Sequence, residues 1–229
     1  MENISHPTTV REVGGRRTTR TKSKPGARFF LAATLIGLLG VAQSTASAQD
    51  TNFPGTRVQS WAVGDVAFLP AVTSQFASQT LREVVRTSVG GDQVRVRIAN
   101  TFGTAPLVIG AAHVAVSAGG AAIVPGTDRA LTFGGRSSVT IAAGAPAISD
   151  PVGLHLNAVS DVAVSLYLPD LTQAGTTTFL QGNSYVSPVG DFTASNDIPA
   201  ATKLGQWPFV SGISVSTSRP GAAIVAITD

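Results

Sequence analysis

The chain has 229 residues, no cysteine, 13% charged residues and a formal net charge of +3. Without a thiol it has no Cys nucleophile, no thiolate metal site and no disulfide framework. From Gln49 onward nine basic residues stand against eleven acidic ones, a net charge of −2, so the basicity belongs to the leader and the electrostatic footing for nucleic-acid binding is lost.

The first 28 residues carry Arg11, Arg16, Arg17, Arg20, Lys22, Lys24 and Arg28 against Glu2 and Glu12. An apolar run, Phe29 to Ala42, follows, and then Gln43-Ser44-Thr45-Ala46-Ser47-Ala48. Basic region, short apolar centre and a small-x-small end are the three parts of a secretory signal peptide, with cleavage expected after Ala48. The alternative is a membrane anchor, but the run is shorter than the roughly 20 residues a spanning helix needs. The expected location is therefore secreted or periplasmic, with no stable membrane insertion after cleavage. Arg16-Arg17 raises a twin-arginine route, although Thr18-Thr19-Arg20 continues it poorly.

Residues 49–56 read as a polar lead-in. Arg57 to Phe68 reads as a first strand kinked at Gly64-Asp65, and 69–79 as a loop. Leu81 to Ser88 and Gln93 to Ala99 flank Val89-Gly90-Gly91-Asp92, which predicts a tight hairpin with positive φ at the glycines. Val94, Val96 and Ile98 alternate with Arg95 and Arg97, giving one dry and one wet face. Pro106 to Ser117 follows, with Gly110 expected as a bulge that shifts register. Short strands are expected over 121–124, 130–133, 137–141 and 151–156. The cleanest alternation is Asp161 to Leu168, with Val162, Val164, Leu166 and Leu168 on one face. Residues 172–206 give only a weak strand signal near Thr176 to Leu180, and Trp207 to Val215 resumes a strand.

No helical stripe is found after the leader. Short strands separated by Gly and Pro turns predict an all-β fold, a jelly-roll-like antiparallel β-sandwich over 57–218. About 180 residues suffice for one domain to cohere by burial alone. The closing segment Gly221 to Ile227 is apolar on both faces, as in parallel sheets covered by helices. It reads either as the first strand of an α/β (flavodoxin-like) domain over 219–229 or as an ordinary sandwich-core strand.

Catalytic signals are sparse. His113 and His155 sit among apolar strand residues and read as structural histidines. No G-x-S-x-G occurs, and no His-x-x-x-His or Glu-x-x-His spacing. Asp150, Asp161 and Asp170 are scattered carboxylates that would need backbone carbonyls to complete a calcium site. The glycine pairs at 90-91, 119-120 and 134-135 read as turns rather than phosphate loops. No catalytic, cofactor or metal residue is assigned. Trp61, Tyr167, Tyr185 and Trp207 are the candidate carbohydrate contacts if the sandwich is a glycan-binding module, with core or edge packing as the plainer reading.

A set of segments resembles one family. Gln79-Thr80-Leu81-Arg82, Thr87-Ser88-Val89-Gly90-Gly91, Val94-Arg95-Val96-Arg97, Asn100-Thr101-Phe102-Gly103 and Pro106-Leu107 are similar to the N-terminal region of secreted bacterial SGNH/GDSL-type hydrolases. So are Leu131-Thr132-Phe133-Gly134-Gly135, Ala143-Gly144-Ala145, Ser149-Asp150-Pro151-Val152 and Val164 to Pro169. The resemblance covers most of 57–229 and implies a β-sandwich accessory domain packed against a flavodoxin-like esterase domain. The partner implied is an ester substrate or glycan, reached through the parent enzyme. Ala223 to Ile227 then resembles the apolar strand that precedes a Gly-Asp-Ser block, with Thr228-Asp229 where Gly-Asp would fall. Thr228 departs from the expected glycine. The chain is accordingly expected to be inactive alone, since the family's Ser, His and Asp have no counterparts in it.

Overall fold

The computed structural model describes residues 55–62, 66–67, 74–174, 176–177 and 183–218. The basic leader, the apolar run, Gly64-Asp65 and the segment 219–229, with Thr228 and Asp229, lie outside the described residues. Eighteen strands follow in chain order. The first nine are β1 (Thr56–Ala62), β2 (Val66–Ala67), β3 (Gln75–Phe76), β4 (Gln79–Arg86), β5 (Gly91–Ala99), β6 (Leu107–Ile109), β7 (Ala111–Gly119), β8 (Ala122–Ile123) and β9 (Arg129–Ala130). The rest are β10 (Val139–Ile141), β11 (Pro146–Ile148), β12 (Val152–Leu156), β13 (Asp161–Leu168), β14 (Thr172–Gln173), β15 (Thr176–Thr177), β16 (Asn183–Val189), β17 (Thr202–Leu204) and β18 (Val210–Thr217). No helix occurs among the described residues, and none of their segments is a helix long and apolar enough to cross a membrane.

Two antiparallel sheets face each other as a β-sandwich. One runs β1-β18-β5-β11, with β12 also on β5; the other runs β17-β16-β4-β13-β7-β8, with β9 also on β7. Their inner faces share one core. Val94, Val96, Ile98, Ile213 and Val215 come from the first sheet, and Leu81, Val85, Val114, Val162, Val164 and Leu166 from the second. The alternation read in Gln93 to Ala99 holds: the aliphatic residues are buried while Arg95 and Arg97 are half-buried on the outward face. There Arg95 Nε donates to the Ser149 carbonyl at 2.7 Å, and Arg97 bonds the Ser211 hydroxyl.

The expected hairpin between Leu81–Ser88 and Gln93–Ala99 is not formed. β4 pairs with β13 and β16, and β5 pairs with β18, β11 and β12, so the chain crosses from one sheet to the other at residues 87–90. Neither Gly90 nor Gly91 takes positive φ. Gly91 is needed for close approach instead, because a Cβ there would lie 2.2 Å from the Ser216 carbonyl oxygen. β4 is also covered on both faces, unlike a half-wet hairpin strand.

Gly110 marks a change of sheet rather than a bulge. β6 pairs with β10, whereas β7, starting one residue later, joins β13. The strand β13 has the limits its alternation predicts, Asp161–Leu168, and lies between β4 and β7. The edge at β1 is closed to further pairing near its middle. Ser88 N–H donates to the Ser60 carbonyl, the Ser60 hydroxyl donates to the Val89 carbonyl, and a register shift between Gln59 and Trp61 twists the strand.

Candidate functional site

On its outer face the β17-to-β8 sheet lines up one polar rung. Lys203, Tyr185, Arg82, Ser165 and His113 are successive cross-strand neighbours, ending at Ala130. The period of two in β4, β7, β13 and β16 points these side chains away from the core. Behind the rung, Val84, Ala115, Ala163 and Ile123 form a small second cluster, with Tyr185 packed on it. The segments around 121 and 192–195 fold over this face, and Ile123 N–H donates to the Asn196 carbonyl.

Arg82 organises that cover. Its side chain is fully buried. Nε donates to Ser165 Oγ at 2.8 Å, and the terminal nitrogens donate to the carbonyls of Ala121, Phe192 (3.2 Å) and Ser195 (2.8 Å). Burial lowers the guanidinium's pKa, and the charges of Asp128 and Asp197 act against that shift. No carboxylate bonds it directly among the described residues; backbone dipoles solvate it.

His113 Nδ1 lies 2.8 Å from Asp128 Oδ2, and Ser165 sits opposite His113 in register. Ser165 and His113 on the rung, with Asp128 from just before β9, thus supply the residue types of a hydrolytic triad, though not its working geometry. Ser165 is only 2% exposed, and its oxygen already accepts a hydrogen bond from a cation. No hydrogen bond joins it to His113 among the described residues. A substrate carbonyl has no approach, and a lone pair held by Arg82 is a poor nucleophile.

His155 is not among the buried residues. Its ring is 70% exposed beside Asp92, with Nδ1 2.6 Å from Oδ1, while its neighbours Leu154 and Leu156 fill the core. The hydrogen bond to Asp92 raises its pKa. Asp150 accepts from Thr132 Oγ1 (2.7 Å), Gly135 N–H (2.7 Å) and Gly134 N–H (3.1 Å), and these bonds, the Thr132 one foremost, hold its carboxyl below the usual range. Asp161 pairs with Arg86 at 3.2 Å. No group of three or more potential metal ligands occurs among the described residues.

The four aromatic candidates fall in two places. Trp61 and Trp207 meet edge-to-face at 5.4 Å, half-buried against the main core, and Trp207 Nε1 donates to the Val84 carbonyl at 2.9 Å. Tyr167 and Tyr185 are on the outer face, Tyr167 beside Gly110 and Tyr185 next to Arg82. Arg82, Glu83 and Asp128 were not legible as notable residues. The available signal was an adjacent charged pair inside the apolar run Leu81 to Val85. Neither a protein-family model nor a curated protein matches the chain.

Proposed function

We propose that the sandwich is a non-catalytic accessory domain of an exported SGNH/GDSL-type ester hydrolase, whose parent activity is hydrolysis of carboxylic esters, including acyl groups on polysaccharide. The observation that carries the non-catalytic part is the sealed state of Ser165. It is the serine in register with His113, which Asp128 contacts, and it is capped by Arg82.

The placement of the resembling segments supports the scaffold role, because they hold loops together instead of converging on a cleft. Asn100, nearly buried, donates through Nδ2 to the carbonyls of Ala105 (2.9 Å), Ile141 (3.1 Å) and Ala142 (3.2 Å). Its own carbonyl accepts from Gly103 and Gly144. Gly103 must lack a side chain, since a Cβ would fall 1.7 Å from Asn100 Oδ1. Asp150 ties the turn at Gly134-Gly135 in the same manner.

The purified chain is expected to hydrolyse 4-nitrophenyl acetate no faster than buffer, and His113→Ala or His155→Ala should change nothing. Turnover that disappears in His113→Ala would overturn the non-catalytic reading. Joined ahead of an SGNH-type catalytic domain, the sandwich should raise that domain's melting temperature or its rate on acylated polysaccharide. A fusion that behaves like the catalytic domain alone argues against the accessory role.

A further inference from the structure

The outer face of the β17-to-β8 sheet is covered over Arg82 but more open where β13 meets β7 and β9. There Tyr167 stands opposite Ala111 and Ser165 opposite His113, so Tyr167 and His113 are diagonal neighbours, with Cα atoms roughly 7–8 Å apart. His113 in turn faces Ala130 on β9. Between the two larger side chains the floor carries only methyl groups, Ala111 half-buried and Ala130 exposed. The result is a shallow depression walled by one aromatic ring and one imidazole.

Both walls are set by groups outside their own strands. Gly110 makes room for the Tyr167 ring: a Cβ there would lie 2.9 Å from Cδ1, with Pro169 Cγ and Cδ at 3.4 Å. Asp128 holds the imidazole, its Oδ2 2.8 Å and its Oδ1 3.1 Å from Nδ1. The turn that carries Asp128 is tied in its own right. Arg129 Nη1 donates to the carbonyls of Gly126 (3.0 Å) and Asp128 (2.7 Å), and its Nε to that of Gly153 (2.9 Å). Thr127 Oγ1 donates to the Val124 carbonyl at 2.6 Å. Held in this way, the two walls still have polar atoms to offer. No hydrogen bond reaches Tyr167 Oη or His113 Nε2 among the described residues, and neither atom is sealed from solvent.

We propose that this depression is a subsite for one neutral pyranose unit of a polysaccharide. A pyranose has a flat face of C–H groups and a rim of hydroxyls. The C–H face lies on the Tyr167 ring, whose body is apolar and whose tip is polar. With the Nδ1 proton directed at Asp128, neutral His113 presents Nε2 as an acceptor for one hydroxyl, and Tyr167 Oη pairs with another. The methyl floor leaves no polar atom of the protein stranded beneath the sugar. Charge disfavours an acidic sugar. The Asp128 carboxylate borders the site, and the guanidiniums of Arg82 and Arg129 are turned to Ser165 and to backbone carbonyls. Binding here does not depend on the accessory-domain reading, because the sandwich carries every contact itself.

The test is affinity electrophoresis of the whole chain through gels holding arabinoxylan, β-glucan, glucomannan or polygalacturonate. Backbone amide shifts are followed in parallel as the matching soluble oligosaccharides are titrated in. At least one neutral polysaccharide should retard the chain, and polygalacturonate should not. Tyr167→Ala and His113→Ala should each weaken that binding about tenfold or more, and Tyr167→Phe, which keeps the ring, by less. Arg57→Ala, exposed on the outer face of the other sheet, should leave it unchanged. The shifts should centre on Ala111, His113 and Ala130 and spare Val96 and Ser214. No retardation by any neutral polysaccharide, retardation by polygalacturonate alone, or binding that survives both alanine variants would overturn the subsite. Should those variants lose their cooperative thermal transition, the wild-type shifts decide: a set centred on Ala111 and His113 supports the subsite, and one centred elsewhere removes it.

Discussion

Arg82 and Glu83 are adjacent in β4, yet the strand's period of two sends them to opposite faces, so neither neutralises the other. Each is satisfied by backbone groups brought from far along the chain, Ala121 and Ser195 for Arg82, Phe209 and Val210 for Glu83. Replacing Arg82 with Met keeps much of the stem's packing but strands several buried acceptors. It should cost roughly 3–5 kcal/mol, read as a lower urea midpoint. Arg82→Lys should recover less than half of that, because one ammonium cannot span the acceptors that the planar guanidinium reaches. Nothing in the local pattern of this stretch marks either charge as buried. What makes burial tolerable is a set of carbonyls 39 to 113 residues away, and no local pattern encodes it.

At the level of elements, β13 was legible because its alternation and its Pro169-Asp170 stop agree, and β5 because aliphatic and charged residues strictly alternate. β16 was missed. Asn183-Ser-Tyr-Val-Ser-Pro-Val has little apolar signal, and Pro188 falls within the register shift between Val186 and Val189, where a missing N–H is tolerated. The crossing at 87–90 was mistaken for a hairpin because Gly-Gly between two β-rich runs serves either purpose. Which one applies depends on partners elsewhere: β13 and β16 for one arm, β18 for the other. Gly91→Ala tests the close approach. Packing of the added methyl group against the Ser216 carbonyl should make it cost about 1–3 kcal/mol, measurable as a drop in thermal midpoint.

For the whole molecule, the predicted all-β sandwich is the observed architecture of the described residues. Composition and turn spacing set that much. The candidate site was far less legible, since its rung draws on β16, β4, β13 and β7 and exists only after the sheet is assembled. β18 lies between β1 and β5 and buries Ile213 and Val215 completely. A chain ending at Leu204 should therefore lose the sandwich as a unit. Its far-ultraviolet circular dichroism should show no cooperative thermal transition.

That strand order has a bearing on how the protein is made. Thr56 pairs with Thr217, so the earliest strand of the sandwich waits for the latest. A nascent polypeptide cannot finish this sheet until Thr217 has emerged, and folding that depends on such distant pairings is slow.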